Sequence, residues 1–125
     1  MSTFSTTVAF GTSGARGLVI DMTDRVCYTY TVAFLKYLQE TNQWRQGQAV
    51  IIGGDLRPST PRIMAACAKA CVDFGSPVIN AGDVPSPAVA LHGFKNGFPS
   101  LMITGSHIPD DRNGIKFNTP TGEIS

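Results

Sequence analysis

The segment Ala49-Val-Ile-Ile-Gly-Gly54 decides the fold, because four consecutive apolar residues stop abruptly at two glycines. A short unbroken apolar run of this kind is typical of a strand that is buried on both faces. Thr60 and Pro61 then predict the start of a helix, as an N-cap followed by a first-turn proline, and Gly75 predicts its end. The next strand is predicted at Pro77-Val-Ile79. This strand–helix–strand order favours a layered α/β domain with a mainly parallel sheet.

Further strands are predicted on both sides of this unit. Thr7-Val-Ala-Phe10, Leu18-Val-Ile20 and Ser100-Leu-Met-Ile103 are short apolar runs, and Ile115-Lys-Phe117 is a candidate edge strand. Glycine and proline residues separate these runs, and the sequence contains no internal repeat or low-complexity tract.

Two more helices are predicted. Apolar residues recur at helical spacing from Val26 onwards, and Thr23 or Asp24 is placed to cap that helix. A brief helix is predicted to begin at Pro87.

Composition excludes several classes of protein. The chain has 125 residues, of which 42% are hydrophobic and 15% charged, so we expect residues 1–125 to form one folded domain. A net charge of +1 is not the clear basic excess that is typical of nucleic-acid-binding domains. No apolar run approaches the roughly 20 residues of a membrane span. The first residues are polar and do not resemble a secretion signal, and the number of cysteines is odd. We therefore expect a cytoplasmic protein. We interpret Cys27, Cys67 and Cys71 as buried small hydrophobes rather than metal ligands.

Three unusual loops are predicted to follow strand ends, at residues 11–17, 53–60 and 104–109. Parallel strands bring such loops to one edge of the sheet. The first loop carries glycines, hydroxyls and Arg16, which suits either a phosphate-binding turn or a solvated glycine turn. In the second loop, we favour a structural ion pair between Asp55 and Arg57 over an anion site at the helix start.

The third loop contains a Ser-His pair, followed by a lysine. Ser106 is a candidate nucleophile or phosphate carrier, His107 is a titratable neighbour, and Lys116 can stabilise phosphoryl charge. A serine hydrolase is disfavoured because adjacent side chains diverge and no G-x-S-x-G motif is present. Three loops suited to anions in one small domain favour phosphate chemistry.

Five segments together resemble the first domain of the α-D-phosphohexomutases, the phosphoglucomutase and phosphomannomutase superfamily. They are similar to the family's signatures and occur in its order: Phe10-Gly-Thr-Ser-Gly-Ala-Arg-Gly17, Gly54-Asp-Leu-Arg57, Gly82-Asp-Val-Pro-Ser-Pro87, Thr104-Gly-Ser-His-Ile-Pro109 and Asn113-Gly-Ile-Lys116. The resemblance implies a three-layer α/β/α sandwich on a four-stranded mixed sheet. It also implies a mutase that moves a phosphoryl group between the 1- and 6-hydroxyls of a hexose.

The resemblance also implies roles for individual residues. Ser106 would carry the phosphoryl group, Lys116 would stabilise it or move protons, His107 would orient the site, and Arg16 would hold phosphate. Ser106 would further contribute to a metal site through its phosphate. Substrate or phosphate binding is expected at four residues: Thr12, Ser13, Arg16 and Lys116.

The expected cofactors are Mg²⁺ and a hexose 1,6-bisphosphate activator, and the expected partners are a hexose phosphate and further mutase domains. The family's D-G-D-x-D metal loop does not occur in the sequence, and Ile108 replaces its usual asparagine after the histidine. We therefore expect the chain to be domain I of a longer enzyme and to be inactive alone. The alternative is a non-catalytic anion-binding module on the mutase scaffold.

Overall fold

The computed structural model of the protein describes residues 9–11, 14–55, 57–82, 97–104, 112–120 and 122–123. The strands are β1 (Ala9–Gly11), β2 (Gly14–Leu18), β3 (Val50–Gly54), β4 (Val78–Gly82), β5 (Ser100–Ile103), β6 (Arg112–Thr119) and β7 (Gly122–Glu123). The helices are α1 (Asp24–Glu40) and α2 (Thr60–Asp73). Neither helix within these residues has the length and hydrophobicity that a membrane crossing requires.

The described strands form one mixed sheet in the order β1-β2-β6-β5-β3-β4, with β7 paired to β6. As predicted, β3 is buried along its whole length, and it pairs in parallel with both β4 and β5. The remaining pairings are antiparallel, so the parallel part is confined to these three strands. The expected four-stranded mixed sheet is present as β4-β3-β5-β6, and β1, β2 and β7 extend it.

Two strand predictions need correction. The segment predicted as an edge strand at residues 115–117 lies inside the longer β6, which has β5 on one side and β2 on the other. The strand predicted at Leu18-Val-Ile20 is not present, because β2 ends at Leu18. The amides of Asp21 and Met22 donate to the Leu18 carbonyl and close a turn there. Ile20 in this turn is 81% exposed. Hydrophobicity alone predicted an element where the backbone reverses.

Both described helices begin near the predicted residues, and α2 also ends near the predicted Gly75. Thr23 caps α1, since its hydroxyl accepts a hydrogen bond from the amide of Val26 at 3.2 Å. The N-cap of α2 is Ser59, one residue before the predicted Thr60. Beyond its end, Gly75 has a φ of 89°, which glycine adopts without strain.

The two helices pack against each other and cover one face of the sheet. That core contains α1 and α2 side chains together with Ile52, Leu101, Ile103, Ile115 and Phe117 from the strands. The rings of Phe34 and Phe117 lie 4.9 Å apart between their centroids. The opposite face carries a separate buried pair, Ile51 and Met102. The helix predicted from Pro87, which would belong to the third layer, lies outside the described residues.

All three cysteines are buried and unpaired in the helix-side core, as the sequence predicted. Burial raises the pKa of the Cys27 thiol to about 11 and that of Cys71 to about 12. The pKa of Cys67 is also raised, chiefly by burial. These thiols therefore stay protonated at neutral pH and behave as small hydrophobic side chains.

Candidate functional site

The loops after β3 and β5 start side by side at one edge of the sheet. The amide of Asp55 donates to the carbonyl of Ile103 at 3.0 Å, and the amide of Thr104 donates to the carbonyl of Gly114 at 2.9 Å. The ends of β3 and β5 and the beginning of β6 thus meet at one place. The predicted convergence is confirmed for the second loop and for the start of the third.

The first predicted loop has a different structure. Residues 9–11 and 14–18 are the strands β1 and β2 of an antiparallel hairpin, with Gly11 opposite Gly14. Arg16 belongs to β2, and its Cα is paired with that of Gly114 on β6. The loop prediction is wrong for residue 11 and residues 14–17, because glycine-rich segments give a weak strand signal even where the backbone pairs.

Asp55 organises the loop that follows β3. One carboxylate oxygen accepts from the amide of Arg57 at 3.1 Å and from the hydroxyl of Thr60 at 2.7 Å. The other oxygen lies 3.3 Å from the guanidinium Nε of Arg57. The side chains of Arg57 and Asp55 are only 10% and 26% exposed, so the ion pair is largely shielded from water. The predicted structural pair is confirmed.

This loop is connected to β6 through side chains. Arg57 donates from Nη1 to the carbonyl of Arg112 at 3.3 Å. Asn113 donates from Nδ2 to the hydroxyl of Ser59 at 2.8 Å and to that of Thr60 at 3.2 Å. The hydroxyls at the start of α2 are therefore engaged by protein groups, which agrees with the structural interpretation of this loop.

The role of Asn113 was not predicted from the sequence. In the sequence Asn113 belongs to an N-G-x-K segment, and Asn-Gly is usually a turn signal. In the structure Asn113 is fully buried, and its Oδ1 also accepts from the amide of Gly114 at 2.8 Å. No local sequence pattern signals this role, because it depends on the contacts of Asn113 with Ser59 and Thr60 at the start of α2.

Lys116 lies in β6 and is half-buried. Its Cα is paired with that of Met102, and its neighbours Ile115 and Phe117 pack in the core beneath α1 and α2. Because side chains alternate along a strand, Lys116 lies on the face away from these helices, with Met102. Asn113 lies on the helix side, so Asn113 and Lys116 of the N-G-x-K segment lie on opposite faces of the sheet.

The other predicted site residues are described in part or not at all. Arg16 has a described backbone position only. Four predicted residues lie outside the described part of the chain: Thr12, Ser13, Ser106 and His107. Connectivity nevertheless bounds the segment that carries Ser106, because its neighbours Thr104 and Arg112 are both described.

The described residues do not fit a magnesium ion by themselves. Among them, no group of three or more His, Cys, Asp or Glu side chains is placed to hold a metal ion. Mg²⁺ prefers oxygen ligands in octahedral geometry. Among the described residues, Asp55 lies at the end of β3, and both of its oxygens are engaged by Arg57 and Thr60. No metal ligand is therefore assigned within this part of the structure.

Comparison with known proteins agrees with the sequence and the fold. The family model described as phosphoglucomutase/phosphomannomutase, alpha/beta/alpha domain I, matches residues 7–124. A phosphomannomutase from Sinorhizobium fredii is 47% identical over 116 residues, which cover 93% of this chain and 24% of the relative. A phosphomannomutase from Salmonella muenchen is 43% identical over 118 residues, which cover 94% of this chain and 24% of the relative. The chain thus spans about a quarter of the length of these relatives.

Solved structures show the same fold. The crystal structure of a phosphoglucomutase/phosphomannomutase family protein from Burkholderia thailandensis superposes with a TM-score of 0.75 at 27% sequence identity. The match covers 90% of this chain and 26% of that protein. The chain belongs to the phosphoglucomutase/phosphomannomutase family, and it corresponds to the family's alpha/beta/alpha domain I.

Proposed function

We propose that this chain is the phosphoserine-bearing domain of a phosphohexomutase that acts on mannose or glucose phosphates. The observation that carries the proposal is the meeting of β3, β5 and β6 at one edge, through the Asp55–Ile103 and Thr104–Gly114 backbone bonds. The Thr-Gly-Ser-His segment leaves the sheet at Thr104 and returns at Arg112, so it starts and ends at this edge.

The proposed chemistry is two successive phosphoryl transfers. In the first, the bond between Ser106 Oγ and phosphorus breaks while a sugar hydroxyl oxygen bonds to the phosphorus, and the proton of that hydroxyl is transferred to Ser106 Oγ, which becomes a hydroxyl again. In the second, the other sugar phosphate returns a phosphoryl group to Ser106. Positioning and charge stabilisation account for most of the catalysis in such reactions. The cations of Lys116 and Arg16 supply positive charge, Thr12 and Ser13 bind phosphate, and His107 orients the site.

The proposed enzyme needs more than this chain. Relatives are about four times longer, and the described residues provide no magnesium site of their own. We propose that further domains of the complete protein supply most ligands of Mg²⁺ and hold the second phosphate of the substrate. A hexose 1,6-bisphosphate would phosphorylate Ser106 to start the cycle. The unpaired buried cysteines suit a reducing compartment such as the cytoplasm.

The preferred sugar is proposed from the relatives. The two relatives quoted above are phosphomannomutases, with identities of 47% and 43%. Their names favour a mannose phosphate as the substrate of the complete protein. This choice depends on the comparison alone.

The test is a mutase assay on the complete protein with mannose 1-phosphate and glucose 1-phosphate, Mg²⁺ and a hexose bisphosphate. We expect Ser106→Ala to abolish turnover. We expect Lys116→Met to lower kcat/KM by at least about a hundredfold, which is roughly 2.7 kcal/mol of transition-state stabilisation. Lys36→Met, at an exposed position of α1, is the matched control and should leave activity unchanged.

Retention of turnover by Ser106→Ala would contradict the proposal. A wild-type protein that binds inorganic phosphate but converts neither sugar phosphate would instead support the alternative of a non-catalytic anion-binding module.

A further inference from the structure

Arg57 links two segments that are distant in the sequence. Its Nε lies 3.3 Å from Asp55 Oδ2, and its Nη1 donates to the carbonyl of Arg112 at 3.3 Å. The two contacts come from different nitrogens of one planar guanidinium, which a lysine cannot reproduce with a single point charge. Because only 10% of the Arg57 side chain is exposed, solvent competes weakly for its contact with Asp55. The hydrogen bond to the Arg112 carbonyl is exposed to solvent.

The carbonyl that Arg57 binds has a particular position in the chain. Arg112 is the first residue of β6, immediately after the segment 105–111 that carries Ser106. At the other end of that segment, the amide of Thr104 is bonded to the carbonyl of Gly114. Asn113 adds a further link from the start of β6 to Ser59 and Thr60 at the start of α2. Both ends of the serine-bearing segment are thus fixed to the same group of residues.

We propose that Arg57, held in place by Asp55, is a positioning residue for the serine-bearing segment. It fixes the carbonyl of Arg112 and so sets where the chain enters β6. The catalytic consequence rests on the proposed function, in which Ser106 must present its phosphoryl group in line with a sugar hydroxyl. Small displacements of a reacting group lower rates strongly, because the reactive geometry is populated less often. Arg57 itself need not touch the substrate.

Arg62 provides a matched control for the chemistry of Arg57. Its Nη1 lies 3.0 Å from Asp24 Oδ1 and donates to the carbonyl of Met22 at 2.8 Å. Its Nη2 also donates to the carbonyl of Val19 at 3.4 Å. Arg62 thus combines one carboxylate with backbone carbonyls, a combination similar to that of Arg57, but it joins α2 to the start of α1. Its side chain is 42% exposed, and its contacts involve neither end of the segment 105–111.

The experiment compares Arg57→Gln, Arg57→Lys and Arg62→Gln in the complete protein. For both Arg57 variants we expect kcat to fall at least tenfold while KM changes by less than threefold, and we expect Arg62→Gln to keep wild-type kinetics. Amide hydrogen exchange should increase over residues 105–114 in the Arg57 variants and remain unchanged there in Arg62→Gln. If Arg57→Gln fails to fold, the test is made with Arg57→Lys, which retains the positive charge opposite Asp55.

A second measurement tests the role given to Asp55. Asp55→Asn should lower kcat by a similar factor, and the double variant with Arg57→Gln should lose no more than either single variant. Arg57 variants with wild-type kcat and unchanged exchange over 105–114 would overturn the inference. A failure of the proposed function can be distinguished from a failure of this inference. In the first case the wild-type protein itself would lack mutase activity, but the hydrogen-exchange comparison would still test the role of Arg57.

Discussion

Asn113 and Ser59 are 54 residues apart in the sequence, yet the Nδ2 of Asn113 donates to the Ser59 hydroxyl at 2.8 Å. The same nitrogen donates to Thr60 at 3.2 Å, so one buried amide joins the start of β6 to the N-terminus of α2. Neither element could shift without breaking these bonds. This junction, together with the Arg57 contacts, gives the candidate site a fixed frame.

The first prediction concerns Asn113. Replacing it with alanine leaves the amide of Gly114 without its side-chain acceptor and removes the donor to both hydroxyls. Uncompensated buried polar groups cost about 1–3 kcal/mol, so we expect Asn113→Ala to lower the free energy of unfolding by about 2 kcal/mol. Urea denaturation measures this loss. Gln39→Ala, at an exposed position of α1, is the control, and an equal effect in both variants would refute the role of Asn113.

The second prediction concerns the close approach of α2 to Gly54. A Cβ on Gly54 would overlap Cγ2 of Thr60 and lie 2.7 Å from Sδ of Met64. We expect Gly54→Ala to lower the free energy of unfolding by about 1–3 kcal/mol through overpacking. Adding Thr60→Ser should recover part of this loss, since serine lacks Cγ2 but keeps the hydroxyl that bonds Asp55.

Thr60→Ser alone is the control for that rescue. A Gly54→Ala variant within about 0.5 kcal/mol of wild type in urea denaturation would show that α2 does not pack as closely as the structure indicates.

The third prediction compares two buried serines, each 1% exposed. The hydroxyl of Ser76 donates to the carbonyl of Gln48 at 2.6 Å, whereas the hydroxyl of Ser100 has no hydrogen-bond partner within the described part of the chain. We expect Ser76→Ala to lower the free energy of unfolding by about 1 kcal/mol. Ser100→Ala should leave it unchanged or raise it, because the alanine removes an unsatisfied polar group. Equal losses in the two variants would contradict this account.

The parts of the fold that depend on local pattern were predictable from the sequence. The apolar run before Gly53 predicted a fully buried strand, and β3 is central in the parallel part of the sheet. Proline and glycine at either end of α2 predicted its limits to within a few residues. The pair of Asp55 and Arg57 also followed from short spacing, since both residues belong to one tight loop.

The parts that depend on distant pairing were not predictable in the same way. The hairpin of β1 and β2 has a glycine-rich sequence that favours a loop, and its pairing with β6 involves residues about a hundred positions away. The same pairing places β6 inside the sheet rather than at its edge. Asn113 acquires its role only when β6 and α2 meet, which no local pattern reveals.

The fourth prediction follows from the raised pKa values of the buried thiols. Burial raises the pKa of the Cys27 thiol from its ordinary value of 9.0 to about 11, and it raises the pKa of the Cys71 thiol to about 12. Above pH 9 the unfolded chain releases these protons and the folded chain retains them, so stability falls as the pH rises. Each thiol contributes a slope of up to about 1.4 kcal/mol per pH unit.

Thermal denaturation between pH 8 and 11 measures this dependence, because the melting temperature should fall over that range. Cys27→Ala removes one of the titrating groups and should give a shallower decrease than the wild-type chain. A Cys27→Ala variant with the same pH profile as wild type would show that the thiol is accessible to water in the folded state.

The central claim is that Ser106 carries the phosphoryl group, and phosphate mapping on the complete protein tests it most directly. The protein is incubated with a hexose 1,6-bisphosphate and Mg²⁺, digested, and analysed by peptide mass spectrometry. We predict one phosphate, located on Ser106 in the peptide that contains His107, and its transfer to added mannose 1-phosphate. Phosphate found only on another residue, or turnover of the sugar phosphate without any phosphate on Ser106, would contradict the claim.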